Sequence, residues 1–188
     1  MRKRNALKHL ERIASLMRIA FRQELVREGL QLVHLETLTY LDSCNKYSNS
    51  PQHVAAYLGL TKGTVSQSIS LLNSLGLVEK NIDPIDRRKV NVLLTARGKQ
   101  VVLKFEQLVK IDDLKDDFSE ESRSLEDSLE ALLLSLQKAN GFKTFGACKT
   151  CIHHQINADG RMCLLTKQSL SEAEKELICH EHRPQVVL

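Results

Sequence analysis

The stretch Pro51-Gln52-His53-Val54-Ala55-Ala56-Tyr57-Leu58-Gly59, followed by Thr61 and then Lys62 to Leu75 closed by Gly76, decides the fold. Proline opens the first apolar segment and glycine closes it. Threonine stands at the N-cap of the second, with glycine just past its end, which is the punctuation of two short consecutive helices. After Gly76, Leu77-Val78-Glu79-Lys80 and Val90-Asn91-Val92-Leu93-Leu94 read as strands, and Asn81-Ile82-Asp83-Pro84-Ile85-Asp86-Arg87-Arg88-Lys89 between them is a basic turn. Two helices joined by a tight turn and followed by a hairpin with a cationic tip predict a winged helix-turn-helix, mainly α with a small β-hairpin wing.

The second helix has two chemically distinct sides. Val65, Ile69 and Leu72 share one face, with Leu75 at its edge, while Ser66, Gln67, Ser70 and Ser74 project from the other. A merely solvated helix face carries Glu and Lys pairs. Short, uncharged hydroxyl and amide side chains suit a helix that approaches base edges in a major groove. The wing tip offers Arg87, Arg88 and Lys89 to phosphates and to the negative minor groove. The expected DNA-binding residues are therefore Lys62, Thr64, Ser66, Gln67, Ser70, Arg87, Arg88 and Lys89.

The runs Thr64-Val65-Ser66 through Gly76-Leu77-Val78, Asp83-Pro84-Ile85-Asp86-Arg87-Arg88 and Leu94-Thr95-Ala96-Arg97-Gly98 occur in an order that resembles the multiple-antibiotic-resistance regulator (MarR) family, over roughly residues 5–138. The resemblance implies that the helix Lys62–Leu75 reads the major groove and that Arg87 and Arg88 engage the minor groove, with Asp86 orienting an arginine. Many members carry Arg where this chain has Ile85, so the grip at the tip is expected to be weaker or differently aimed. The family likeness further implies a homodimer formed by interlocking first and last helices, a repressing role, and a small-molecule effector whose pocket residues are not legible here.

Composition fits a soluble globular protein: 188 residues, 42% hydrophobic, 27% charged, with a formal net charge of +4 that permits nucleic-acid binding without demanding it. No apolar run approaches the roughly 20 residues that span a bilayer, and Met1-Arg2-Lys3-Arg4 leads into an amphipathic helix, so a cytoplasmic protein without membrane association is expected. Residues 1–27 hold eight Lys/Arg against Glu11 and Glu24, whereas residues 112–130 hold nine Asp/Glu against Lys115 and Arg123. A DNA-facing and a DNA-distal pole produce that asymmetry, as does an ordinary acidic surface.

Leu10, Ala14, Met17, Phe21 and Leu25 predict a helix over residues 5–27, and Leu35, Leu38 and Leu41 a second over 32–43. Another runs from Lys99 to about Ile111, and Ser119 caps a last one with Leu125, Leu129, Leu132, Leu133 and Leu136 as a stripe. Such stripes need a partner, here a second subunit or the chain's own core.

Composition changes beyond Gly141, dividing the chain into a winged-helix and dimerisation domain at 1–141, with its DNA-reading core at 51–98, and a small metal-binding tail at 142–188. Of five cysteines, Cys148, Cys151, Cys163 and Cys179 lie in that tail, spaced C-x2-C, eleven residues, C, fifteen residues, C. A C-x2-C pair presents two thiolates from one turn. The turn Asn157-Ala158-Asp159-Gly160 brings Cys163 back toward it, and Ser171-x-x-Glu174 is a capping box expected to open a short helix ending at Cys179. Phe142, Phe145, Leu164, Leu165, Leu170, Leu177 and Ile178 are its main core candidates. So small a core calls for a staple, and clustered cysteines in a cytosolic chain favour a metal over disulfides. Zinc is the first choice, with an iron–sulfur cluster the alternative. His153, His154, His180 and His182 are expected in supporting roles. Cys44 reads as a small hydrophobe.

An oxidoreductase using the thiols is the rival from another class, but a site closed by four cysteines leaves no open position, and no Gly-rich cofactor loop is present, so no enzymatic activity is expected. A winged-helix protein-interaction module is the other alternative, against which Arg87 and Arg88 speak.

Overall fold

The computed structural model describes residues 2–82, 90–109, 122–157 and 160–185, without the side chains of 2–4 and 122–126. Six α-helices are found among these residues: α1 (Arg2–Arg27), α2 (Leu32–Ser43), α3 (Pro51–Leu58), α4 (Lys62–Ser74), α5 (Ala96–Val109) and α6 (Ser122–Ala139). Strands β1 (Val78–Ile82) and β2 (Val90–Leu94) form the wing base, antiparallel, with Val78 opposite Leu94 and Ile82 opposite Val90. The tip residues Pro84, Ile85, Asp86, Arg87, Arg88 and Lys89 lie outside the described residues, as do Ser119 and the acidic run from Asp112 to Asp117.

Helix α2 is the centre of the core. Its Leu35, Leu38, Tyr40 and Leu41 are buried, and it packs against α3, α4, α5 and β2. The apolar face of α4 is fully withdrawn, with Val65 and Leu72 at 0% exposure. Leu25 of α1 and Val101, Val102 and Phe105 of α5 join the same cluster, and the Phe21 and Phe105 rings meet edge to face at 5.5 Å. Nearly buried Glu24 pins α1 to α5 through Lys104, whose ammonium holds the Glu24 carboxyl below the usual carboxylate range.

Several boundaries move from expectation. Helix α1 starts at Arg2 rather than Asn5, and α5 starts at Ala96, because Thr95 accepts the Gly98 N–H (3.0 Å) and acts as its cap. The Ser171–Glu174 box forms as expected (2.9 and 3.2 Å), yet only a 3-10 turn, Glu174–Glu176, follows it. The chain then passes into a strand. The tail is built from β3 (Gly146–Ala147) paired with β7 (Ile178–Cys179), and a meander of β4 (His154–Asn157), β5 (Gly160–Cys163) and β6 (Gln168–Leu170). Its expected apolar residues divide: Phe145 and Ile178 belong to the main core, whereas Phe142, Leu164 and Leu165 are exposed. No described helix is long and apolar enough to cross a membrane.

Gly98 has a packing role. A Cβ there would stand 2.1 Å from the Leu77 carbonyl oxygen, so the first turn of α5 sits directly on the start of the wing. Gly98→Ala is therefore expected to destabilise the fold by about 3 kcal/mol, read as a lowered urea midpoint at unchanged slope.

Candidate nucleic-acid interface

The residues expected to read DNA form one surface as far as they are described. Lys62, Thr64, Ser66, Gln67 and Ser70 all lie on the exposed side of α4. Thr61 caps the helix by accepting the Thr64 N–H at 3.2 Å. At the other end Gly76, at φ +68°, completes a Schellman turn: Leu77 N–H donates to Leu72 O (2.9 Å) and Gly76 N–H to Asn73 O (3.0 Å). Just past the helix, Thr95 Oγ1 donates to Gly76 O (2.7 Å) and Arg97 to Leu75 O (2.9 Å). The run Leu94-Thr95-Ala96-Arg97-Gly98 thus clamps the C-terminus of α4. Helix α4 is held at both ends while its polar face is left free.

Lys80 is a cation that sequence reading passed over. Its Nζ on β1 donates to Ser70 Oγ at 3.1 Å, placing a positive charge beside the polar face of α4. A Lys inside a strand gives no signal of its own; only the β1–α4 angle brings it there. Arg87, Arg88 and Lys89 lie outside the described residues.

A groove of about 910 Å³ opens between α1, α2 and α5. Met17, Phe21, Leu35 and Phe105 make it apolar, and Arg18 and Glu36 give it polar edges. None of these residues forms a readable motif, because each is also an ordinary position of an amphipathic helix.

The four tail cysteines converge from three elements. Cys148 and Cys151 bracket a 3-10 turn closed by Cys151 N–H to Cys148 O (3.1 Å), Cys163 ends β5 opposite His154, and Cys179 ends β7 opposite Gly146. All four line one cavity of about 20 Å³. No cysteine is in a disulfide. Among the described residues no three Cys, His, Asp or Glu side chains are already drawn together in metal-holding geometry. Instead the proximity of Cys148 and Cys179 pulls the Cys179 thiol down and pushes Cys148 up, and the Asn45 side chain favours the thiolate of each. Of the histidines, His182 is buried, with Nε2 3.1 Å from Thr150 Oγ1. His180 stacks on His53 of α3 at 3.7 Å. Cys44, by contrast, is sealed in the core, and burial pushes its thiol up to about 12.

No protein-family model matches the sequence, and a search of curated proteins returns no match. Solved structures do match in fold. The chain is similar to MarR (25% identity, TM-score 0.55, covering 71% of this chain and 92% of that one). A MarR-family regulator from Silicibacter pomeroyi matches at 20% identity with TM-score 0.56, covering 70% of this chain and 87% of that one. CouR from Rhodococcus jostii, solved bound to p-coumaroyl-CoA, matches at 22% identity with TM-score 0.52, covering 68% of this chain and 87% of that one. Together these establish a winged-helix fold of the MarR type.

Burial pushes the His53 imidazole down to about 4, aided by the nearby His180 and Lys143. Unfolded chain takes up a proton near the ordinary histidine value of about 6.5, so the His53 contribution is complete above that pH and is lost as pH falls to about 4. Imidazole nitrogen NMR should find His53 neutral at pH 5, and His53→Gln should flatten the fall in stability between those two limits.

Proposed function

We propose that the protein is a sequence-specific, DNA-binding transcription regulator, of the repressing type that the family resemblance implies, and not an enzyme. The observation that carries this reading is α4: an exposed Ser, Thr and Gln face on a helix buried along its other side and clamped at both ends. Helix α4 enters the major groove, with Gln67, Ser66 and Ser70 facing base edges and Lys62, Thr64 and Lys80 facing phosphates. The wing, residues 81–89, lies along the minor groove and brings Arg87, Arg88 and Lys89 to it.

Dimerisation is part of the same reading. Helix α1 leaves Leu7, Ile13, Leu16 and Ile19 exposed, and α6 leaves Leu129, Leu132, Leu133 and Leu136. A second subunit covering these rows removes the apolar surface from water and sets two α4 helices about one DNA turn apart. The groove between α1, α2 and α5 is where we place a small-molecule effector, an apolar or aromatic compound with a polar end to meet Arg18 or Glu36.

Duplexes selected from a random library by the full chain should be bound with an affinity that falls steeply with salt. Arg87→Ala and Arg88→Ala should each reduce the slope of log affinity against log salt by about 1. Gln67→Ala should instead relax preference at one base pair by about 1–3 kcal/mol with little change in slope. Salt-independent binding without sequence preference would return the chain to the interaction-module reading.

A further inference from the structure

The tail is made of three small pieces, each bringing sulfur to one point. The Cys148–Cys151 turn, the β5 strand and the β7 strand share little apolar packing, since Leu164 and Leu165 are about half exposed (47% and 50%). Strands β3 and β7 pair over only two residues each. What the pieces have in common is the 20 Å³ cavity bounded by all four cysteines. Space of that size admits about one small atom, which favours a single ion over a multi-iron cluster. A larger space of about 140 Å³ adjoins, but Cys151 is not among its lining residues.

Hydrogen-bond donors are already aimed at the sulfurs. The Arg183 N–H points to Cys151 Sγ at 3.4 Å, and the side chain of Asn45, which lines the same space as Cys148 and Cys179, favours the thiolate of each. Such donors support thiolates rather than thiols. Asn45 belongs to the loop between α2 and α3, not to the tail. Two backbone contacts reinforce that junction: Asn45 N–H to Ile178 O (2.9 Å) and His180 N–H to Ser48 Oγ (2.9 Å).

We infer that Cys148, Cys151, Cys163 and Cys179 close around a single zinc ion, and that Asn45 braces this centre against the α2–α3 loop, so that metal binding locks the tail onto the helix-turn-helix unit. On binding, the four thiols release their protons and each sulfur donates one pair to the metal, with no change of oxidation state. The metal–sulfur bonds so formed draw the ring of sulfurs inward. The centre does not depend on DNA binding and is tested without DNA.

The full chain, purified anaerobically, is assayed for zinc, iron and acid-labile sulfide, stripped with a chelator, and titrated with Co(II). One zinc per chain is expected, and Co(II) should bind one to one with the intense visible and near-ultraviolet bands of a tetrahedral four-thiolate complex. Cys163→Ser should lose that spectrum. Asn45→Ala should keep it while weakening Co(II) affinity about 10–100-fold. Hydrogen exchange at the Asn45 and His180 amides should slow at least tenfold when Zn(II) is restored to the wild-type chain. Iron with acid-labile sulfide in the purified chain would overturn the single-ion centre. Co(II) uptake no greater than that of a variant with all four cysteines changed to serine would overturn the centre altogether. Metal uptake without change at those two amides would overturn the brace.

Discussion

The loop between α2 and α3 has no regular structure, yet it is among the most enclosed parts of the molecule: Asn45, Ser48 and Asn49 are buried, Ser48 completely. Buried backbone must find hydrogen-bond partners, and a loop cannot supply them to itself as a helix does. Here they come from every side. Tyr40 of α2 donates its hydroxyl to Ser48 O (2.8 Å), Val92 of the wing donates to Asn49 O (2.9 Å), and Asn45 N–H reaches Ile178 O of the tail. The loop then ends at Ser50, whose Oγ caps α3 by accepting the His53 N–H at 3.3 Å. Its polar groups therefore fix where α2, the wing, the tail and the first helix of the reading unit stand relative to one another. Detaching the tail would leave Asn45 N–H and Ser48 Oγ short of partners, at about 1–3 kcal/mol for each group left unsatisfied.

Rigidity at that loop is what lets α4 be polar outside. A helix whose exposed face is committed to Ser, Thr and Gln gains little from surface ion pairs, so its placement must come from elsewhere. Burial of Val65, Ile69 and Leu72 supplies the energy, while Thr95 and Arg97 donate to the carbonyls just past its end. The free face is then available for recognition without weakening the helix.

These two levels differ in how they are written in the sequence. Period-3.6 apolar rows and Pro, Thr and Gly punctuation made α2, α3 and α4 legible to within a residue, and the wing strands were placed, although β1 runs on through Asn81 and Ile82, which the sequence assigned to the turn. Asn45, Ser48 and Asn49 belong to a short polar stretch in which nothing local marks them as buried. Phe145 looked like core for a separate tail; in the structure its ring lies 5.3 Å from Tyr57 and 6.3 Å from Tyr40. A capping box at Ser171 was correctly located but stops nothing from unwinding after one turn, since the segment that follows is drawn into pairing with Gly146 and Ala147. Local signals set local structure, and long-range pairing overrode them wherever the tail met the core. The convergence of the four cysteines was legible only as spacing.

That same aromatic contact joins two features of the molecule. Tyr40 and Tyr57 line the groove between α1, α2 and α5, and both also pack against Phe145, which leads into the first cysteine turn. One layer of rings therefore separates the groove from the tail. Tyr57 belongs to α3, the helix that precedes α4 and packs against it. Tyr40 and Tyr57 are thus common to the wall of the groove and to the packing of the tail.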